Sequence, residues 1–222
     1  MIAILGGTFN PIHNGHLHLA KQLQAKLNFE SIRFMPAAIP ALKDVPSVTG
    51  AQRAEMVDIA ISEYPDFSLD TRELSRSGTS YTIDTLTLLR EELGKEVSLC
   101  WLMGSDAFAH LNAWHRWQEL LNYAHLVVVK RPHSDDLSDL NAEVQMLRNQ
   151  HETNSVEALR QEPCGRILLQ EIDALDISSS AIREKLSKLD DGKLDDGKLE
   201  DVSKLMPHEV FHYIQQHHLY QA

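Results

Sequence analysis

Long apolar runs are missing from this sequence. The longest are short, such as LVVV at 126–129, whereas a membrane span needs about 20 apolar residues. No membrane span is therefore expected. Cysteine is scarce: Cys100 and Cys164 are the only two, 64 positions apart and outside any CxxC pair. That argues against a disulfide scaffold or a structural zinc site and suits a reducing cytoplasm. The opening MIAILGG lacks a basic flank and a long apolar core, so no secretory signal is expected. Positive charge is also short, with 21 Lys and Arg against 32 Asp and Glu, a net −11. So acidic a chain is a poor general binder of nucleic acid. It can still hold one polyphosphate where a few cations and backbone amides are focused.

What is present is alternation. Among 222 residues, IAIL, SIRFMP, FSLDT, VSLCWLM, HLVVVK and RILLQ read as strands. Between them lie helical patterns. Leu17, Ala20, Leu23 and Leu27 share one face, as do Met56, Ile59 and Ala60 in a helix predicted over about 49–63. Ile83, Leu86, Leu89 and Leu93 form a third stripe, and AFAHLNAWHRWQELL a fourth helical pattern. Another helix is predicted from about Ser178. This order predicts an α/β protein: a Rossmann-like, doubly wound, mainly parallel sheet with helices on both faces and a C-terminal helical region. The length suits a single domain over 1–222.

Residues 135–160 are polar and poor in β-formers, and read as a peripheral helix or insertion. KLDDGKLDDGKLED at 188–201 repeats a five-residue unit. That period fits neither helix nor strand, so an acidic linker is expected, with a docking surface as the alternative. The C-terminal stretch, 202–222, is predicted helical, with Pro207 in a first-turn position.

The stretch GGTFNPIHNGH, 6–16, follows the first strand and enters the first helix. In open parallel sheets ligands bind beyond the carboxyl ends of strands. Gly6 and Gly7 let backbone approach a ligand, and a helix N-terminus offers unpaired amides and a positive dipole end. His13 and His16 are three apart, close enough for one helical turn to bring both rings to one side. Three readings stay open on spacing alone: a phosphate cradle, a turn with incidental histidines, or a metal site. The metal reading lacks a good third ligand, because His18 would be rotated away from His16. His208 and His212 have i,i+4 spacing without an accompanying acidic motif, and a solvated helix face is favoured there.

GGTFNPIHNGHL resembles the signature GGTFDPxHxGHL of the HxGH nucleotidyltransferases. SYTIDTL (80–86), GSDAF (104–108), AHLVVVKRP (124–132) and ISSSAIREKL (177–186) resemble further blocks of one branch, the bacterial nicotinate-nucleotide adenylyltransferases. VFHYIQQHHLY is similar to that family's C-terminal helix, and the pieces occur in family order along the whole chain. The resemblance implies transfer of the adenylyl group of ATP to nicotinate mononucleotide, with Mg²⁺, giving nicotinate adenine dinucleotide and pyrophosphate. The alternatives are a sibling adenylyltransferase acting on nicotinamide mononucleotide or phosphopantetheine, and a nucleotide sensor without catalysis.

The resemblance also implies roles. Gly6, Gly7, Thr8 and Phe9 would line the nucleotide site, with Gly104, Asp106, Ile177, Ser178 and Ser179. Asp106 would meet the ATP ribose, or cap the following helix. His13, His16, Lys43 and Arg183 would contact phosphates, His16 at the reacting α-phosphate. Tyr81, Thr82 and Trp114 would form the acceptor pocket, Trp114 stacking on the pyridine ring. Trp117 reads as core. Ser178 or Ser179 can cap the helix that carries Arg183. The loop PAAIPALKD (36–44) departs from the family pattern, with Ala37, Ala41 and Leu42 at its usual positions and Lys43 keeping the cation. A cytoplasmic monomer or homodimer is expected.

Overall fold

The computed structural model describes residues 1–39, 41, 46–76, 78–130, 137–188 and 196–221, with backbone alone at 196–199. The chain opens with β1 (Ile2–Gly7), α1 (Asn14–Leu27), β2 (Ser31–Pro36), α2 (Gly50–Ile61) and β3 (Phe67–Leu69). After α3 (Thr82–Leu93) come β4 (Leu99–Gly104), the short α4 (Ser105–Ala109), and two 3₁₀ segments, Leu111–Ala113 and Trp117–Asn122. Then follow β5 (His125–Lys130), α5 (Ala142–His151), β6 (Glu152–Thr153), α6 (Val156–Gln161) and β7 (Ile167–Glu171). The chain ends with α7 (Ser179–Ser187), α8 (Asp196–Ser203) and α9 (His208–Gln216).

The strands form one sheet in the order β3-β2-β1-β4-β5-β7-β6. All six neighbouring pairs run parallel. Burial on both faces explains the continuous apolar strands. Ala3 and Leu5 of β1, Cys100 and Leu102 of β4, and Val127 and Val129 of β5 face one core. That core includes the apolar stripe of α1, Met56 and Val57 of α2, Ile182 of α7 and Val210 of α9. The intervening residues Ile4, Leu99, Trp101, Met103, Leu126 and Val128 face the other core, with Ile83, Leu86 and Leu89 of α3. Period-2 alternation in the strands thus meets 3.6-residue stripes in the helices.

Four local expectations need correction. The stretch 107–121 does not form one long helix: α4 ends at Ala109, and 3₁₀ segments follow. Residues 135–160 hold two helices and a short edge strand, β6, paired with β7. The end of the expected acidic linker is helical, because α8 begins at Asp196; residues 189–195 lie outside the described set. Pro207 stands at the N-cap of α9, just outside its first turn, without a side-chain cap. Among the described residues no helix is long and apolar enough to cross a membrane.

Candidate active site

The sheet order reverses direction between β1 and β4. Crevices form at such switch points, beyond the carboxyl ends of the strands. Residues 8–13 leave β1 there, and Gly104 ends β4 beside them.

The turn after β1 is built around aromatic rings. A β-carbon on Gly6 would lie 2.7 Å from the Trp101 ring, and one on Gly7 would lie 3.0 Å from Phe9. Packing inside the protein therefore disfavours a side chain at both glycines, most strongly at Gly6, in addition to any approach by ligand. Phe9 has φ +46° and is 2% exposed. Its ring packs edge-on against His16, centroids 5.1 Å apart, and tilts against Phe34. Phe9 thus faces inward and supports His16, where the sequence suggested a site-lining residue.

His13 stands at the N-cap of α1, and its ring stacks on His16 with centroids 3.7 Å apart. The backbone N–H of His13 donates to His16 Nδ1 at 3.2 Å. A neutral His16 therefore carries its proton on Nε2, as a donor. His13 is 5% exposed, and burial lowers its pKa from 6.5 to about 4. Its Nδ1 is buried with no hydrogen-bond partner among the described residues, a situation that calls for an explanation, because an unmade buried hydrogen bond costs about 1–3 kcal/mol. A β-carbon at Gly15 would stand 2.9 Å from that nitrogen, so glycine there keeps its surroundings open.

The distant helix α7 returns to the same turn. Ser178 caps it, accepting from the Ala181 N–H at 3.2 Å, which decides between the two candidate serines. Ser179 Oγ donates to the Pro11 carbonyl at 2.9 Å. Arg183 donates through Nη1 to the Asn10 carbonyl at 2.8 Å and through Nη2 to Ser180 Oγ at 3.2 Å. Arg183 is therefore tied to the β1–α1 turn rather than extended from a bare helix. Ile177 packs against the first core, and its Cβ lies 3.6 Å from where a Gly15 side chain would begin.

Asp106 is exposed in the first turn of α4, and its Oδ1 folds back over Gly104, the N-cap. It does not cap the helix itself. Tyr81 is the N-cap of α3 and Thr82 its first residue. The Tyr81 ring lies 4.5 Å from the ring of His115, which neighbours Trp114 in sequence. The structure thus brings Tyr81 and Thr82 beside the segment that carries Trp114, and both Trp114 and Trp117 pack partly into the second core. His18 is directed away from the histidine pair, its Nε2 2.6 Å from the Asp173 carbonyl. Lys43 lies outside the described residues.

Several residues escaped the sequence reading. Asn10 gathers the turn: its carbonyl accepts from Arg183 and its Oδ1 from the Tyr220 hydroxyl, at 2.8 Å. Nothing in the sequence marked Tyr220. Arg53 is 1% exposed and donates to the carbonyls of Thr8 at 2.7 Å and Ala38 at 3.3 Å. It had a signal: it sits at i of the i, i+3, i+4, i+7 face shared with Met56, Val57 and Ala60, a charge placed in an apolar stripe.

Known proteins bear on this site. The family model described as cytidylyltransferase-like matches residues 4–185. A probable nicotinate-nucleotide adenylyltransferase of Cellvibrio japonicus is 41% identical over 219 residues, covering 99% of this chain and 98% of its own. The protein of the same name from Aeromonas salmonicida is 42% identical over 221 residues, covering 100% and 97%. Among solved structures, Plasmodium falciparum nicotinic acid mononucleotide adenylyltransferase complexed with NaAD aligns with TM-score 0.71. It is 21% identical, covering 99% of this chain and 96% of that one, and it bears on the fold alone.

Proposed function

Because the chain belongs to the cytidylyltransferase-like family, we propose that it is a nicotinate-nucleotide adenylyltransferase. It transfers the adenylyl group of ATP to nicotinate mononucleotide, forming nicotinate adenine dinucleotide and pyrophosphate in NAD biosynthesis. The observation that carries this reading is the joining of two distant segments beyond the end of β1: Ser179 and Arg183 of α7 bond the Pro11 and Asn10 carbonyls of the turn that carries the stacked His13 and His16. The Tyr81–His115 contact is read as the acceptor side.

The chemistry asks little covalent work of the protein. The 5′-phosphate of the acceptor is anionic at neutral pH and can attack the α-phosphorus directly. A new P–O–P bridge forms, the bond from the α-phosphorus to the bridging oxygen breaks, and pyrophosphate carries off the electron pair. Rate enhancement comes from aligning two anions and neutralising charge as it redistributes. In this reading the Nε2 donor of His16 bears on the α-phosphate. His13, neutral in the absence of ligand, offers the unpartnered Nδ1. Arg183 and the amides at the start of α7 bear on the β- and γ-phosphates, with Lys43 as a loop cation. Thr8 and Gly7 line the nucleotide side. Asp106 bears on the ribose, and Trp114, Tyr81 and Thr82 receive the pyridine ring.

Mg²⁺ is read as arriving with ATP. It keeps several waters and binds chiefly through substrate phosphates with few carboxylates. Among the described residues no three His, Cys, Asp or Glu side chains are grouped to hold a metal of their own.

Pyrophosphate release with ATP and Mg²⁺, run in parallel with the acid and the amide mononucleotide, tests the proposal. Turnover that prefers the acid is expected. Preference for the amide would overturn the substrate assignment, and no turnover with either would favour a sensor.

A further inference from the structure

Arg53 is a buried cation that the chemistry above does not use. It projects from the first turns of α2, yet both of its hydrogen bonds go to loops at the end of the sheet, to Thr8 after β1 and Ala38 after β2. Among the described residues it forms no ion pair. Its Nε is buried without a hydrogen-bond partner among the described residues. Among the described residues its hydrogen bonds go to two carbonyls, with Tyr220 the one group that favours its charge; a guanidinium buried this deeply is costly, so its geometry calls for a reason.

The links continue beyond it. The Ala37 N–H donates to the Gly7 carbonyl at 2.9 Å, and the Ala38 N–H to Ser80 Oγ at 3.0 Å. The Ser80 N–H in turn donates to the Ile39 carbonyl at 2.9 Å. Ser80 directly precedes Tyr81, the N-cap of α3. An unbroken path therefore runs from Thr8, through Arg53 and Ala38, to Ser80 and Tyr81.

We propose that Arg53 is a positioning residue that locks the nucleotide-side turn to the acceptor-side loop, so that binding of one substrate sets the loop that receives the other. The inference rests on the function proposed above. A planar fork with donors on separate nitrogens can span two carbonyls; a lysine ammonium is a point charge and cannot hold the same spacing. Misplacement of reacting groups by about 1 Å can cost on the order of 10²-fold in rate.

The test compares wild type with R53K. Two readouts are kcat per folded molecule and the Kd of nicotinate mononucleotide with and without a non-hydrolysable ATP analogue. Wild type should show an analogue-dependent Kd, and by linkage the same factor in reverse. R53K should lose about tenfold or more in kcat, and its Kd ratio should approach one. A wild-type ratio of one, or an R53K protein with unchanged kcat and ratio whatever its melting temperature, overturns the inference. Should R53K fail to fold, S80A breaks the next link and is expected to give the same two losses; unchanged values there overturn it. A wild type without turnover would overturn the functional reading as well, whereas active wild type with an unaffected variant removes the Arg53 inference alone.

Discussion

His13 and His16 stack at 3.7 Å between ring centroids, yet their environments differ. His13 is buried and neutral near pH 7, with burial lowering its pKa to about 4. His16 is half-buried, braced by Phe9 beneath it, with Nδ1 occupied by the His13 N–H. One ring completes the helix start, and the other is oriented as a donor.

His16→Ala should lower kcat by roughly 10²-fold or more, the usual loss for a key charge-stabilising donor. The fold should survive, since the ring is not part of the deepest core. Steady-state pyrophosphate release alongside circular dichroism checks this. Near-normal turnover in a folded variant would remove His16 from the reaction.

Arg183→Met deletes the link from α7 to the Asn10 carbonyl. A hydrogen bond from a charged donor contributes about 1.5–3 kcal/mol, so a loss of that size is expected in denaturant unfolding, together with a raised KM for ATP. Tyr220→Phe removes the other link to Asn10 and should cost less, about 0.5–1.5 kcal/mol. A larger loss in Tyr220→Phe than in Arg183→Met would contradict the placement of the charge-assisted bond.

Gly6→Ala should destabilise by about 1–3 kcal/mol, the usual cost of overpacking a tight core. The new methyl would meet the Trp101 ring, which is only 4% exposed and has little room to yield. Urea unfolding measures it. A neutral substitution would mean that the ring can shift.

Stability should fall as pH drops from about 6.5 toward 4. The unfolded chain takes up protons on histidine near 6.5, whereas folded His13 does so only near 4. Between these values the unfolded state binds more protons, so acid favours unfolding. For His13 the full effect is roughly 3 kcal/mol once pH is below both values. His125 acts in the same direction: burial lowers its pKa, and its Nδ1 accepts from the Arg166 N–H, a bond that protonation breaks. Unfolding free energies at pH 7.5, 6 and 5 should decline in order, less steeply in His13→Asn. A flat profile would contradict the buried neutral state of both rings.

The strand–helix order and the α1 stripe were readable because each depends on local periodicity: Leu17, Ala20, Leu23 and Leu27 are all buried as their spacing predicts. The breakdown of 107–121 into short α and 3₁₀ pieces was not readable, because its apolar residues keep helical spacing while their packing against α3 and β5 decides the backbone path. Glycines 6 and 7 were visible as glycines, but the rings that crowd them, Trp101 and Phe9, are brought there by folding.

By itself the sequence determined the class of fold and the place of the histidine turn, since these rest on period, residue type and short motifs, while the kind of chemistry followed from the resemblance of those motifs to a family. Only the tertiary structure decided which groups hold that turn. Arg183 reaches Asn10 across 173 residues, Tyr220 reaches it across 210, and Arg53 joins Thr8 to Ala38 from a third element. Contacts between residues so far apart leave no periodic trace in the chain, because the sheet order, not sequence distance, makes them neighbours.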